Sequence, residues 1–215
     1  MESHEADTHL HLEDESLWTH IPVGKGQILK YNVHTCFQDM PNEKVKTIAK
    51  NLQIPLGIML LNLDGNMNIA MSIRTATALG CSDVYIVGKR QYDSRGTVGA
   101  KNYIRIHRLA AIDPATFFQE HKLLPILVEQ GGAPLDEFSF KPYFTEADEH
   151  GVTPIIVMGS EGHGIPQEWL DLGLGPRISI PQMGILRSLN VSVASSIVLY
   201  EYTKQWRKYV ADKML

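Results

Sequence analysis

Five short runs that are apolar along almost their whole length alternate with segments of helical spacing, and this alternation narrows the possible folds more than any other feature. The runs are PLGIMLLNL (55–63), DVYIVG (83–88), LLPILVE (123–129), TPIIVMG (153–159) and RISI (177–180). Between and after them lie NIAMSIRTATALG (68–80), PATFFQEHK (114–122) and a long C-terminal run, all with apolar residues at helical spacing. A strand with one wet face alternates apolar and polar residues. One that is apolar throughout is covered on both faces, as happens in a parallel sheet whose crossover helices pack on either side. The expected fold class is α/β, a parallel sheet sandwiched by helices, formed by residues 51–215.

Residues 1–50 differ in kind. Residues 1–20 are an acidic tail expected to be disordered, and 21–50 form an N-terminal extension. In it GQILKYNVHTCFQDM has no readable structure, whereas Pro41 suits the opening of a helix over PNEKVKTIAKNL. His4, His9, His11 and His20 lack matched carboxylate or thiolate spacing, so no metal is expected. Cys36 and Cys81 alone offer no disulfide framework. The tail has neither the bases nor the apolar centre of a secretory or transit segment. The longest apolar run, Val191–Tyr200, is broken by serines and falls short of the roughly 20 residues of a membrane helix. No membrane association and a cytoplasmic location, with a nuclear one also allowed, are expected.

Net charge is −4, but its distribution says more than its sum. Six of the 24 acids lie in residues 1–20 with no base among them, which leaves 18 acids against 20 bases in the rest. Residues 89–108 hold Lys89, Arg90, Arg95, Lys101, Arg105 and Arg108 against Asp93 alone, interleaved with Tyr92 and Tyr103. Bases among aromatics neutralise phosphates and stack on unpaired bases, as an RNA surface requires. The same stretch would equally suit a solvated loop. Lys89, Arg90, Arg95 and Lys101 are the candidate RNA contacts.

In such a sheet, ligands bind beyond the carboxyl ends of the strands. Asn68 and Arg74 follow the first apolar run, where Asn68 also suits a helix N-cap and Arg74 a surface arginine lying along an apolar face. VMGSEGHGIP (157–166) places three glycines within six residues after a strand, so its backbone can approach a ligand closely. It matches neither a dinucleotide fingerprint nor a P-loop, and Glu161 would repel a phosphate there. His163 has no partner readable from sequence. A third group, Ser188, Leu189 and Asn190, stands where a short strand and a Pro181–Gly184 turn give way to the last helix.

Together, NIAMSIRTATALG, IVMGSEGHGIP and ISIPQMGILRSLNVSVA, in that order and spacing, closely resemble the three signature motifs of the TrmH branch of the SPOUT RNA 2′-O-ribose methyltransferases. The match covers roughly residues 55–205. The resemblance implies a C-terminal deep trefoil knot and bound S-adenosylmethionine. It places Asn68, Arg74, Glu161, Ser188 and Asn190 around the ribose and the methyl donor as catalytic residues. It places Val128, Met158, Gly159, Ile180, Met183 and Leu189 around the cofactor, with apolar side chains flanking the adenine and backbone groups at its edge. Arg74 would either take the proton of the 2′-hydroxyl or align hydroxyl and phosphate, a guanidinium being rarely a base.

IPQMGILRSLNVSVASSIVLYEYTKQW looks most like the branch that methylates guanosine 18 of the tRNA D-loop. Ribosomal RNA methylation, a silent RNA-binding paralogue and an unrelated nucleotide-binding enzyme are the alternatives. RNA rather than DNA is the expected partner. A homodimer is expected through the last helix, where Val191, Ala194, Ile197, Val198 and Tyr200 offer apolar surface.

Overall fold

The computed structural model describes residues 33–63, 65–88 and 91–214. The acidic stretch 1–20 and the extension up to residue 32 lie outside the described residues. The chain divides into two compact units between Val45 and Lys46. In the first, a 3-10 turn spans Thr35–Phe37, and α1 (Asn42–Asn51) opens directly after Pro41, whose carbonyl accepts from the amides of Lys44 and Val45 at 2.9 and 3.1 Å.

In the second unit the elements run β1 (Ile54–Leu61), α2 (Asn66–Ala78), β2 (Cys81–Val87), β3 (Arg105–Leu109), α3 (Pro114–Glu120), β4 (Leu123–Pro134), α4 (Lys141–His150), β5 (Thr153–Met158), α5 (Gln167–Asp171), β6 (Arg177–Ser179) and α6 (Val191–Met214). The six strands pair in the order β3-β2-β1-β5-β4-β6, all parallel. Side chains alternate between faces along a strand, so each apolar run feeds two cores. Leu56, Ile58 and Leu60 of β1 with Ile156 and Met158 of β5 join Ile69, Phe140, Phe144, Leu199 and Tyr202 on one face. Met59, Leu61, Ile155 and Val157 join Phe117, Phe118 and Trp169 on the other. Covering both faces is what demands strands without polar alternation.

Three elements lie where the sequence has no readable period. β3 is an edge strand, and RIHRL needs only Ile106 and Leu109 against the body, so its polar majority hides its period. α4 buries Phe144 and Ala147, a sparse apolar stripe, and α5 is a single short turn around Trp169. Among the described residues no helix is long and apolar enough to cross a membrane.

β3 is fastened to β2 by charge. Arg105 donates from Nε and Nη2 to the two carboxylate oxygens of Asp83 at 2.8 and 2.7 Å, and His107 Nε2 lies 2.8 Å from Oδ1. Burial by itself would raise the Asp83 carboxyl, but the hydrogen bonds from Arg105, His107 and Ser82 outweigh it and hold the group at about 2, against an ordinary 3.8. The folded value lies below the unfolded one, so the stabilisation is complete above about pH 4 and is lost as pH falls through about 2. The shift corresponds to at most roughly 2 kcal/mol, less what solvent screens at the half-exposed Arg105. Asp83→Asn should therefore lower the unfolding free energy at neutral pH by up to that amount and flatten its decline below about pH 4. Urea unfolding across that range checks this, and a variant whose acid decline parallels the parent's would contradict it.

Candidate functional site

The strand order reverses beside β1: the chain winds outward through β2 and β3, then crosses to build β4, β5 and β6 on the other side. A crevice at the carboxyl ends of β1 and β5 is the geometric result. Asn68 stands on one side of it and Glu161 on the other. α2 begins at Asn66 with Gly65 at the N-cap and no side-chain cap bond, so Asn68 is the third residue of the helix and not its N-cap. Its carboxamide is free to face the crevice, where Nδ2 donates to Glu161 Oε1 at 2.7 Å. Gly65 makes room for this pair, since a Cβ there would lie 2.7 Å from Asn68 Nδ2.

Glu161 is presented by a tight turn after β5. Ser160 and Gly164 exchange both backbone hydrogen bonds, at 3.0 and 2.9 Å, and a Cβ on Gly159 would fall 2.1 Å from the Gly164 carbonyl carbon. Only glycine lets the strand end meet the turn this closely. Asn68 Oδ1 accepts from Asn190 Nδ2 at 3.1 Å. Asn190 Oδ1 in turn caps α6, accepting from the Ser192 amide and hydroxyl at 2.9 and 2.7 Å and from the Val193 amide at 3.4 Å. One carboxamide orientation of Asn68 suits both neighbours, with its donor on the carboxylate and its acceptor on the amide. Glu161, Asn68, Asn190 and the α6 N-terminus thus form one chain of hydrogen bonds. α2 and α6 meet again at Thr75 and Ser196, whose hydroxyls are 3.1 Å apart.

Arg74 and Ser188 are not in that chain. Arg74 is exposed on α2, about 9 Å along the helix axis from Asn68, and makes no hydrogen bond or ion pair with a described residue. Ser188 is exposed within a segment, 181–190, that is exposed throughout. Val128 and Met158 are register partners at the carboxyl ends of β4 and β5, with Gly159 next in line, and Ile180 is half-buried against the core. Met183 stands fully in solvent and Leu189 is 40% exposed.

Lys89 and Arg90 lie outside the described residues. Arg95 is folded onto Asp93 through Nε and Nη2, and this exposed pairing holds the Asp93 carboxyl down at about 2. Lys101 donates to Ser94 Oγ at 3.2 Å, and the Arg108 guanidinium sits 5.2 Å over the Tyr92 ring centre. Arg105 is committed to Asp83. The charge of this stretch is therefore partly neutralised within the chain. Among the described residues, no three His, Cys, Asp or Glu side chains are grouped to hold a metal ion.

Two further residues fasten the site, and no sequence motif singles them out. Glu129 accepts from the Ile165 amide at 3.0 Å, and Gln130 donates to the Arg187 carbonyl. An acid closing the apolar run LLPILVE was the available signal for the first.

The family model described as the SpoU rRNA Methylase family matches residues 55–200, and the chain belongs to that family. A tRNA (guanosine(18)-2′-O)-methyltransferase of Escherichia coli strain K12 is 33% identical over 141 residues, which are 64% of this chain and 58% of the relative. The chain thus spans little more than half the length of that relative. Among solved structures, the TrmH/SpoU tRNA modifying enzyme of A. aeolicus superposes with a TM-score of 0.63 at 22% identity, over 78% of this chain and 83% of its own. The SpoU methyltransferase AviRb of Streptomyces viridochromogenes, in complex with the cofactor AdoMet, gives 0.60 at 22% identity over 71% and 60%. These two likenesses concern the fold.

Asn190→Ala removes both the α6 cap and the bridge to Asn68, and should cost about 1 kcal/mol in urea unfolding. Asn190→Asp keeps the capping oxygen and loses only the donor, so its midpoint should stay near the parent's. Equal losses in the two variants would place the stabilisation in the bridge instead of the cap.

Proposed function

We propose that this chain transfers a methyl group from S-adenosylmethionine to a ribose 2′-hydroxyl of RNA, guanosine 18 of tRNA being the preferred target. The observation that carries the proposal is the hydrogen-bonded chain Glu161–Asn68–Asn190, which unites residues of all three motifs at the crevice of the sheet. The residues suit the cofactor: 181–190 offers the apolar side chains Met183, Ile185, Leu186 and Leu189, all exposed, beside a polar cluster at the crevice. Val128, Met158, Gly159 and Ile180 would hold its adenosine, with Met183 and Leu189 covering it. When bound, the cofactor supplies a methyl group made electrophilic by its sulfonium.

The other roles fall to the chain's own side chains. Arg74, exposed and without a partner among the described residues, would meet the RNA. Its guanidinium offers donors and no acceptor, so it would orient the hydroxyl and the adjacent phosphate toward attack. Asn68 and Ser188 would steer Arg74 and the ribose, Glu161 would fix Asn68, and Asn190 would fix the segment that closes on the cofactor. Lys89, Arg90, Arg95 and Lys101 would hold the RNA backbone, and a cytoplasmic place of action belongs to the same reading. So does the C-terminal trefoil knot. Residues 129–132, looped out of β4 where Val128 and Ala133 both pair with Ile178, are the candidate loop for the chain end to thread. Ribosomal RNA is the second reading, favoured by the description of the matched family.

Homodimerisation is also proposed, with a changed surface. Val191 and Val198, expected to face a partner, are buried in the chain's own core. The exposed apolar residues are Met71, Val193, Ile197 and Tyr200, which line a cleft of about 620 Å³ with Leu135 and Ile180. Uncovered apolar surface of this kind marks an interface.

Methyl transfer from labelled cofactor to total tRNA and to ribosomal RNA in parallel tests the activity. tRNA should be labelled, and label in ribosomal RNA alone would favour the second reading. Arg74→Ala should lower transfer at least about 100-fold while cofactor affinity stays within about threefold. Equal loss of cofactor binding would contradict the role given to Arg74. Light scattering at micromolar concentration should give a dimer, and Ile197→Glu with Tyr200→Glu a monomer. A parent chain that is already monomeric would contradict the interface.

A further inference from the structure

β4 does not run straight to its end. Val128 and Ala133 both pair with Ile178, so residues 129–132 are looped out of the sheet beside the crevice. Two consecutive residues of this loop reach in different directions. Glu129 Oε1 accepts from the Gln130 amide at 2.8 Å and Oε2 from the Ile165 amide at 3.0 Å. The approach is tight enough that a Cβ on Gly164, where φ is +68°, would lie 2.4 Å from Glu129 Oε2. Gln130 Nε2 donates to the backbone carbonyl of Arg187. Glu129 thereby holds the 160–164 turn that presents Glu161, and Gln130 holds the 181–190 segment that ends in Asn190. Because Glu161 and Asn190 are joined through Asn68, the contacts close into a ring: β4 loop to β5 turn, to α2, to the start of α6, and back to the β4 loop.

We propose that Glu129 and Gln130 are positioning residues that lock the β5 turn and the β6–α6 segment into register, so that Glu161 and Asn190 reach Asn68 together. The inference rests on the methyl-transfer reading of the site. Chemistry explains why Glu129 is an acid. Two N–H donors are satisfied on two separate oxygens, which an ionised carboxylate provides and a carboxamide, with one acceptor oxygen, does not. Both oxygens being so engaged, Glu129 supports Glu161 and does not itself touch a reacting atom. In-line transfer is sensitive to small displacements, so loosening the ring should be felt in the rate more than in RNA affinity.

The test uses the full chain with Glu129→Gln, close to isosteric, and Gln130→Ala, at an exposed side chain. Amide hydrogen exchange without cofactor should accelerate over 160–165 in the first variant and over 192–194, whose amides bond to Asn190, in the second, with other protected amides unchanged. Rates normalised to cofactor-binding stoichiometry should show kcat for tRNA reduced about 10- to 100-fold in Glu129→Gln with KM for tRNA within about threefold. Exchange and normalised kcat both equal to the parent's would overturn the proposal while leaving methyl transfer intact. A parent chain that transfers no methyl to any RNA would overturn the underlying reading and the positioning role with it. Should Glu129→Gln fail to fold, Gln130→Ala reads the same ring: faster exchange over 192–194 with a lowered kcat supports the lock, and parental values of both overturn it.

Discussion

Asn68 uses both ends of its carboxamide at once, giving a hydrogen bond to Glu161 and taking one from Asn190. Those partners lie 93 and 122 residues further along the chain, so one side chain brings the three distant motif segments to a single point. Each such bond contributes only about 1 kcal/mol to stability. The fold does not depend on them; it is stabilised by the two cores on either side of the sheet. What depends on them is the relative orientation of the start of α2, the turn after β5 and the segment leading into α6.

That orientation is possible because of how the sheet is wound. Reversal of strand order beside β1 leaves the ends of β1 and β5 adjacent and their following segments diverging to opposite sides. Gly65, Gly159 and Gly164 then remove the Cβ atoms that would keep the segments apart. The 181–190 stretch, exposed along its whole length, is secured at its ends by Ile180 against the core and by Asn190 on α6, and in between by Gln130. A segment with so few apolar contacts lies at the low end of local stability, as one that must move to admit a ligand does.

Strands buried on both faces announced themselves in the sequence, because a run such as IMLL or IIVM has no polar residue to spare. β3 and α4 did not, since an edge strand and a half-exposed helix need only two or three apolar positions each. At the site, the family resemblance implied that Asn68, Glu161 and Asn190 stand near one another, but no periodicity could give the direction of their hydrogen bonds. Nor could composition reveal that Arg95 and Arg105 are committed to Asp93 and Asp83, because pairing partners are set by strand register and turn geometry. Glu129 and Gln130 stayed hidden for the same reason. Their partners, Ile165 and Arg187, are 36 and 57 residues away, and only the looping of β4 brings them within reach.

The central claim is that the crevice delivers a methyl group to a ribose oxygen and not to a base. A 2′-oxygen carrying a methyl group can no longer attack the neighbouring phosphate, so the linkage on its 3′ side survives alkaline hydrolysis. tRNA treated with the chain and cofactor, then digested in alkali, should yield the label in a dinucleotide that begins with the modified guanosine. Label recovered in mononucleotides would place the methyl group on a base and contradict the account.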